Sequence, residues 1–290
     1  MPLPSAIITQ LAHIEPEADF SGTLGGQVHS SNGKLFFVKL GSSSEAEQYA
    51  GEAESLIQIN VAAPRLAPKV LSCGTIEDGR PFFISEYKNL GRLTDKSAVI
   101  LAKRLATEMH AYKSQDARFG FSVPTYCGAT RVKNGYYESW QECFSEMIAD
   151  LLDKLGQYQQ LCAKGESIRK KVFPKLLGPL KIEPVLLHGD LWSGNVGIDR
   201  ATGQPVIFDP SSFFGHNEAD LAIARIFGGF PAAFFTEYHN HRPKTEPVDQ
   251  YELRMAAYEL FHYLNHTVLF GGAYESSASK KMDFLLNANL

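Results

Sequence analysis

Cysteine is scarce in this sequence and never paired. Cys73, Cys127, Cys143 and Cys162 form no CxxC, which speaks against a zinc ribbon or a dithiol redox motif and for the reduced thiols of a cytoplasmic protein. Long apolar runs are missing too. No stretch approaches the roughly 20 apolar residues of a membrane span, and MPLPSAIITQLAHI at the N-terminus lacks the cationic start and apolar run of a signal peptide. No membrane is expected as a partner. Nor is there an excess of positive charge: 28 Lys and Arg stand against 32 Asp and Glu, a formal net charge of −4. Without a basic footprint for a phosphate backbone, nucleic acid is not expected as a partner. Repeats and low-complexity segments are also absent. What remains is a 290-residue chain, 44% hydrophobic, long enough to close a core in one large domain or a two-lobed unit.

The N-terminal part reads as strand-rich. Ile7 to Ile14 suits a short helix, and glycines follow at 22, 25 and 26. The turn Ser30-Ser31-Asn32-Gly33 before the apolar run Lys34 to Leu40 predicts a hairpin. Glu45 to Ile59, acidic early and free of proline, predicts a helix. Lys69 to Gly74 and Pro81 to Tyr87 read as two strands around Glu77-Asp78-Gly79. Past Tyr87 the pattern turns helical. Leu101, Leu105 and Met109 share one face, as do Trp140, Phe144, Ile148, Leu151 and Leu155, and both stripes are assigned to core. Helices are also expected over Leu221 to Phe227 and Tyr251 to Phe270. The expected fold class is α+β, divided into residues 1–87 and 88–290.

Val185-Leu-Leu-His-Gly-Asp190 and Pro205-Val-Ile-Phe-Asp209 in the second part read as short apolar strands, each ending in a carboxylate. Asp190-Leu-Trp-Ser-Gly-Asn195 has the Asp-x-x-x-x-Asn spacing of the protein-kinase catalytic loop. Phosphoryl transfer to a hydroxyl needs a carboxylate to orient that hydroxyl and take its proton, and divalent metal to neutralise phosphate charge. Asp190 is the candidate base, with Asn195 and Asp209 as oxygen ligands for Mg²⁺ beside ATP. His188 is expected to hold the loop through backbone hydrogen bonds. Lys39, on the strand after the glycine-rich turn, is the candidate phosphate-binding lysine, and Glu52 or Glu54 its carboxylate partner. The loop Gly22-Thr-Leu-Gly25-Gly26 does not match GxGxxG, and it can be read as a phosphate loop or as a plain hairpin turn.

The strings LLHGDLWSGNVG, VIFDPSSFFGHNEADLAIARIFGGFPAAFFTEYH and YELFHYLNH, with FGFSVPTYCG and the looser QYAGEAESL, resemble the fructosamine kinase (ketosamine-3-kinase) family over nearly the whole chain. The resemblance implies a protein-kinase-like bilobal fold, related to aminoglycoside and choline kinases: a small N-lobe antiparallel sheet with one main helix, and a larger, mainly helical C-lobe. It implies ATP-dependent phosphorylation of the sugar 3-hydroxyl of ketosamines, free or on protein lysines, whose unstable products shed the sugar. It favours Glu52 as the partner of Lys39 and puts adenine against the backbone of Glu86, Tyr87 and Lys88. Trp192 would face the acceptor sugar, and Asp220 would support the catalytic loop from behind. Some members carry a cysteine in the phosphate loop, where SGTLGGQVHS here has none.

Two other readings are open to the same residues. A kinase for an aminoglycoside, choline or a sugar shares His-Gly-Asp and the asparagine, although DLWSGN and DPSSFFGH speak against it. A non-catalytic pseudokinase would be expected to have lost Lys39, Asp190, Asn195 or Asp209, and all four are present. His262 and His266 stand at i and i+4, but Tyr263 occupies the position where the HExxH metalloprotease motif needs glutamate. Packed or solvated histidines are expected there.

Overall fold

A computed structural model describes residues 3–290. Helix α1 (Ser5–Ile14) is followed by strands β1 (Phe20–Gly22), β2 (Gln27–Ser30) and β3 (Leu35–Leu40), helix α2 (Ala46–Ala62), and strands β4 (Val70–Thr75) and β5 (Pro81–Glu86). The five strands form one antiparallel sheet in the order β1-β2-β3-β5-β4. The Asn-Gly turn closes β2 onto β3 as expected: Gly33 has φ +85°, which glycine adopts without a Cβ penalty. Ser30 N–H donates to the Lys34 carbonyl at 2.9 Å.

Alternation along β3 divides its side chains between the two sheet faces. Phe36 and Val38 join Ile7, Leu11, Val28, Phe82 and Ile84 in a small core under α1. Phe37 packs on the larger core of the molecule, and Lys39 reaches Glu52 on α2. The buried face of α2, Ala53, Leu56 and Ile59, belongs to that larger core together with Phe83 and the helices that follow. One sheet face thus carries a self-contained core, while the other is built into the rest of the molecule.

After Tyr87 come β6 (Leu90–Gly91), α3 (Asp95–Thr107), the hairpin β7 (Tyr126–Cys127) and β8 (Thr130–Arg131), α4 (Trp140–Lys154), α5 (Gln159–Lys171) and α6 (Phe173–Leu176). Then follow β9 (Val185–Leu187), β10 (Val196–Asp199), β11 (Pro205–Ile207), β12 (Phe213–Gly215), α7 (Glu218–Ile226), α8 (Ala232–His241), α9 (Tyr251–Phe270) and α10 (Ala273–Leu286). β9 pairs with β12, and β10 lies between β11 and β6. The two expected apolar stripes are buried on α3 and α4 and in the turns that end them. α9 is buried nearly all round, as a central helix must be. Its Tyr258 hydroxyl accepts from the Trp140 indole at 2.9 Å and meets His216 Nδ1 at 2.7 Å, tying α4 to the start of α7. No helix of the described residues is long and apolar enough to cross a membrane.

Some expected boundaries move. α2 runs on to Ala62, and the strands before Asp190 and Asp209 stop at Leu187 and Ile207. Gly189 at φ +82° and Asp209 at φ +51° leave the extended region, and a ladder cannot continue through them. The four cysteines are all unpaired thiols.

Candidate active site

The loop after β9 is held from behind by Asp220, one turn into α7. Its Oδ2 accepts from His188 N–H at 2.6 Å and its Oδ1 from Gly189 N–H at 2.8 Å. His110 Nε2 lies 3.1 Å from Oδ2, and His110 Nδ1 lies 2.6 Å from the Tyr238 hydroxyl, which also accepts from Asn217. The burial of Asp220 opposes its charge, but His110, His188 and the loop amides outweigh it and hold the carboxyl below the usual range. Gly189 cannot carry a side chain, because a Cβ would stand 2.0 Å from the Ser211 carbonyl oxygen. That close approach gives the glycine of His-Gly-Asp a physical reason.

His188 is fully buried and neutral, burial having lowered its pKa. Its Nδ1 accepts from Asp190 N–H at 3.2 Å, which leaves Nε2 to donate to the Phe208 carbonyl at 3.1 Å. The ring therefore spans the loop that carries Asp190 and the segment that carries Asp209.

Asp190 and Asn195 close a small ring. Asn195 Nδ2 donates to the Asp190 carbonyl at 2.9 Å and to its Oδ2 at 3.1 Å. With the amide nitrogen engaged, the Asn195 oxygen is the end left for a cation. Burial pushes the Asp190 carboxyl up to about 6, with the Asn195 amide and the Cys127 thiol working the other way. Lys39 Nζ sits between two carboxylates, 2.7 Å from Glu52 Oε1 and 3.0 Å from Asp209 Oδ1. Burial disfavours its charge, yet Glu52 and Asp209 outweigh that and raise its pKa. Glu54 instead accepts from Gln58 on its own helix. The Asp209 side chain is 54% exposed. The carboxylate and the Asn195 oxygen make an oxygen-only donor set with room for water and phosphate oxygens, which fits Mg²⁺.

Two cavities meet at this point. One, of about 260 Å³, is lined by Phe37, Leu56, Phe83, the Glu86–Lys88 connection and Phe208. Within that connection Glu86 N–H donates to Lys69 O and Tyr87 N–H to Leu35 O. The Lys88 amide has no protein acceptor among the described residues. The other cavity, of about 350 Å³, is lined by Asp190, Trp192, Asn195, Gln48, Tyr126 and Gly128. Lys39, Glu52 and Asp209 line both. Trp192, 38% exposed, stands edge-on to Phe227 at 6.1 Å and covers Gly194, where a Cβ would strike its ring.

Gly25 and Gly26 line neither cavity. Gly25 N–H donates to Val38 O at 2.7 Å and Gly26 N–H to Thr23 O at 3.2 Å, so the loop lies closed over its own sheet. Residues given no role by the sequence reading also enter the site. Tyr126, Cys127 and Gly128 come from the TYCG stretch, and Gln48 from α2 donates to the Gly128 carbonyl at 3.2 Å. Gly51 explains how they arrive: a Cβ there would stand 2.2 Å from the Pro124 carbonyl, so α2 needs a glycine where this segment crosses it. His110, in the short turn after α3, carried no visible motif.

The chain is similar to known proteins over nearly its whole length. The family model described as fructosamine kinase matches residues 13–288. The chain is 32% identical over 279 residues to the ketosamine-3-kinase of Mus musculus, covering 87% of this chain and 88% of the relative. It is 35% identical over 252 residues to a chloroplastic protein-ribulosamine 3-kinase of Arabidopsis thaliana, covering 86% and 75%. A solved structure of a candidate fructosamine-3-kinase from Thermobifida fusca YX-ER1 superposes with a TM-score of 0.81 at 22% identity, over 99% of this chain and 100% of that one. The expected bilobal kinase-like fold is therefore the fold of this chain.

Proposed function

The chain belongs to the fructosamine kinase family, and from that premise we propose that it transfers the γ-phosphoryl group of Mg·ATP to the sugar 3-hydroxyl of a ketosamine. The enzyme class is phosphotransferase with a hydroxyl acceptor. The observation that carries the finer reading is the meeting of the two cavities. The apolar one, with an unengaged backbone amide at Lys88, suits adenine, while the one beside Asp190 suits a polyol. Their shared wall of Lys39, Glu52 and Asp209 is where the phosphates would lie.

In this reading Asp190 orients the 3-hydroxyl and accepts its proton, and a carboxyl of pKa about 6 is ionised at neutral pH yet basic enough for the task. Lys39, kept charged by Glu52, would hold phosphate oxygens. Asn195 and Asp209 would hold Mg²⁺, which when bound neutralises charge between the phosphates. Gly25 and Gly26 would reach the phosphates once their loop lifts from β3. Trp192 would offer its indole face to the CH face of the sugar. The phosphorylated adduct would then shed its sugar, so the role is deglycation of amines, free or on protein lysines. In this division residues 1–87 would bring the phosphate loop and Lys39, and residues 88–290 the catalytic loop and most of the acceptor site, with both parts lining each cavity.

The test is ATP consumption with fructosyl-, ribulosyl- and erythrulosyl-lysine beside aminoglycosides and choline. Turnover is expected with the ketosamines. Turnover with aminoglycosides or choline alone would overturn the substrate assignment and leave the kinase chemistry standing.

A further inference from the structure

At Asp190 three groups converge that the phosphoryl-transfer chemistry does not use together. Cys127 Sγ, an imidazole nitrogen of His262 and a carboxylate oxygen of Asp190 all lie within 4.8 Å of one another. They come from β7, α9 and the catalytic loop, so no sequence spacing could have revealed them. Cys127 and His262 are buried, at 2% and 4% exposure. His262 Nδ1 is a buried polar atom without a hydrogen-bond partner, and so is Oδ1 of Asn265, one turn further along α9. Asn265 Nδ2 donates to the Cys127 carbonyl at 3.1 Å, which fixes the thiol's backbone against α9. An unpartnered imidazole in the interior costs free energy, and such groups call for an occupant.

We propose that Cys127, His262 and Asp190 form a zinc-binding site through which a soft divalent cation inhibits the enzyme. Thiolate, imidazole and carboxylate are the ligand types Zn²⁺ takes, and three protein ligands plus one water complete its tetrahedron. Tetrahedral zinc sets its ligand atoms about 3.3 to 3.8 Å apart. Closing from 4.8 Å therefore asks for a movement of about an ångström, within the reach of side-chain rotation. Mg²⁺, which prefers oxygen, is excluded from a thiol–imidazole pair. Binding displaces the Cys127 thiol proton to solvent and ties the Asp190 carboxylate to the metal, where it can no longer take a proton from an acceptor hydroxyl. The cation enters through the acceptor cavity, which Asp190 and Gly128 line. The inhibitory consequence rests on the reading of Asp190 as base; the site itself does not.

The experiment therefore has a binding arm and an activity arm, both on the whole 290-residue chain in reduced form. Co²⁺ is titrated into the nucleotide-free chain as a spectroscopic stand-in for zinc. One equivalent is expected to give tetrahedral d–d bands and a thiolate-to-cobalt charge-transfer band. Both should be lost in Cys127→Ser, weakened at least tenfold in apparent affinity in His262→Gln, and unchanged in Cys73→Ser. A missing charge-transfer band, or one that persists in Cys127→Ser, would overturn the site. In the activity arm Zn²⁺ is added at saturating Mg·ATP and each variant is compared with its own zinc-free rate. Inhibition should weaken at least tenfold in Cys127→Ser and in His262→Gln. Equal inhibition in the parent and both variants would place zinc elsewhere, for example at Asn195 and Asp209, and would overturn the proposal. A failure of the ketosamine reading would show instead as absent zinc-free turnover.

Discussion

Asp190 is the residue proposed as base, and its environment makes a two-sided statement about pH. Burial pushes its folded-state pKa up to about 6, above the ordinary aspartate range, so the folded chain binds the proton more tightly than the unfolded one. Stability from this group is present below pH 4 and is lost as pH rises through 6. Asp190→Asn should therefore melt higher than the parent at pH 7.5, by about 1 to 3 kcal/mol, with the advantage gone at pH 4. Calorimetry at the two pH values checks this. The same variant should lose about 10²- to 10⁴-fold in kcat while still binding ATP, and the parent's kcat/KM should fall about tenfold per pH unit below 6. Unaltered turnover in Asp190→Asn would remove it as base. Trp192→Ala should raise the KM for the ketosamine several-fold and leave that for ATP nearly unchanged; an unmoved acceptor KM would reduce Trp192 to a cover for Gly194. At this scale the convergence of Asp190, Asn195, Asp209 and Lys39 on one site could be expected from spacing, because the proposed chemistry dictates residue type. Cys127 and His110 could not, since a buried thiol and a buried histidine look like any other core residue until the fold brings them to Asp190 and Asp220.

At the level of elements, α7 is the part that holds the loop, and its own anchoring is the weak point to test. Glu218 and Arg254 are both buried and paired, Nε to Oε2 at 2.7 Å and Nη2 to Oε1 at 3.1 Å. Thr245 N–H donates to Glu218, while Arg254 donates to the carbonyls of Thr245 and Pro247. Removing one charge strands the other in the interior, so Glu218→Ala should cost about 3 to 5 kcal/mol. Chemical denaturation measures this, and a loss under 1 kcal/mol would show that water or a neighbour takes over. Hairpins and amphipathic helices were legible here: the Asn-Gly turn, α3, α4 and the limits of α9 follow from local pattern. α5, α8 and α10 were not. Each has few buried positions, and QQLCAKGESIRKK of α5 is polar as well, so tertiary packing decides them.

For the whole molecule the question is how far the sequence division at residue 87 is also a division in packing. The larger core takes in Ala53, Leu56 and Ile59 of α2, so the N-terminal part lends one helix to its neighbour. A fragment of residues 1–87 would expose that face and should lack a cooperative fold. A sharp melting transition in the fragment would contradict this. The two-cavity arrangement depends on the same packing, because α2 supplies Gln48, Glu52 and Leu56 to the walls. The central claim, phosphoryl transfer to a ketosamine hydroxyl across that shared wall, is tested most directly by phosphorus–proton NMR of the product formed from fructosyl-lysine and Mg·ATP. A single new phosphate ester coupled to the proton on C3 of the sugar is the expected result. A phosphate on another hydroxyl, or ATP consumed with no ester formed, would contradict the account.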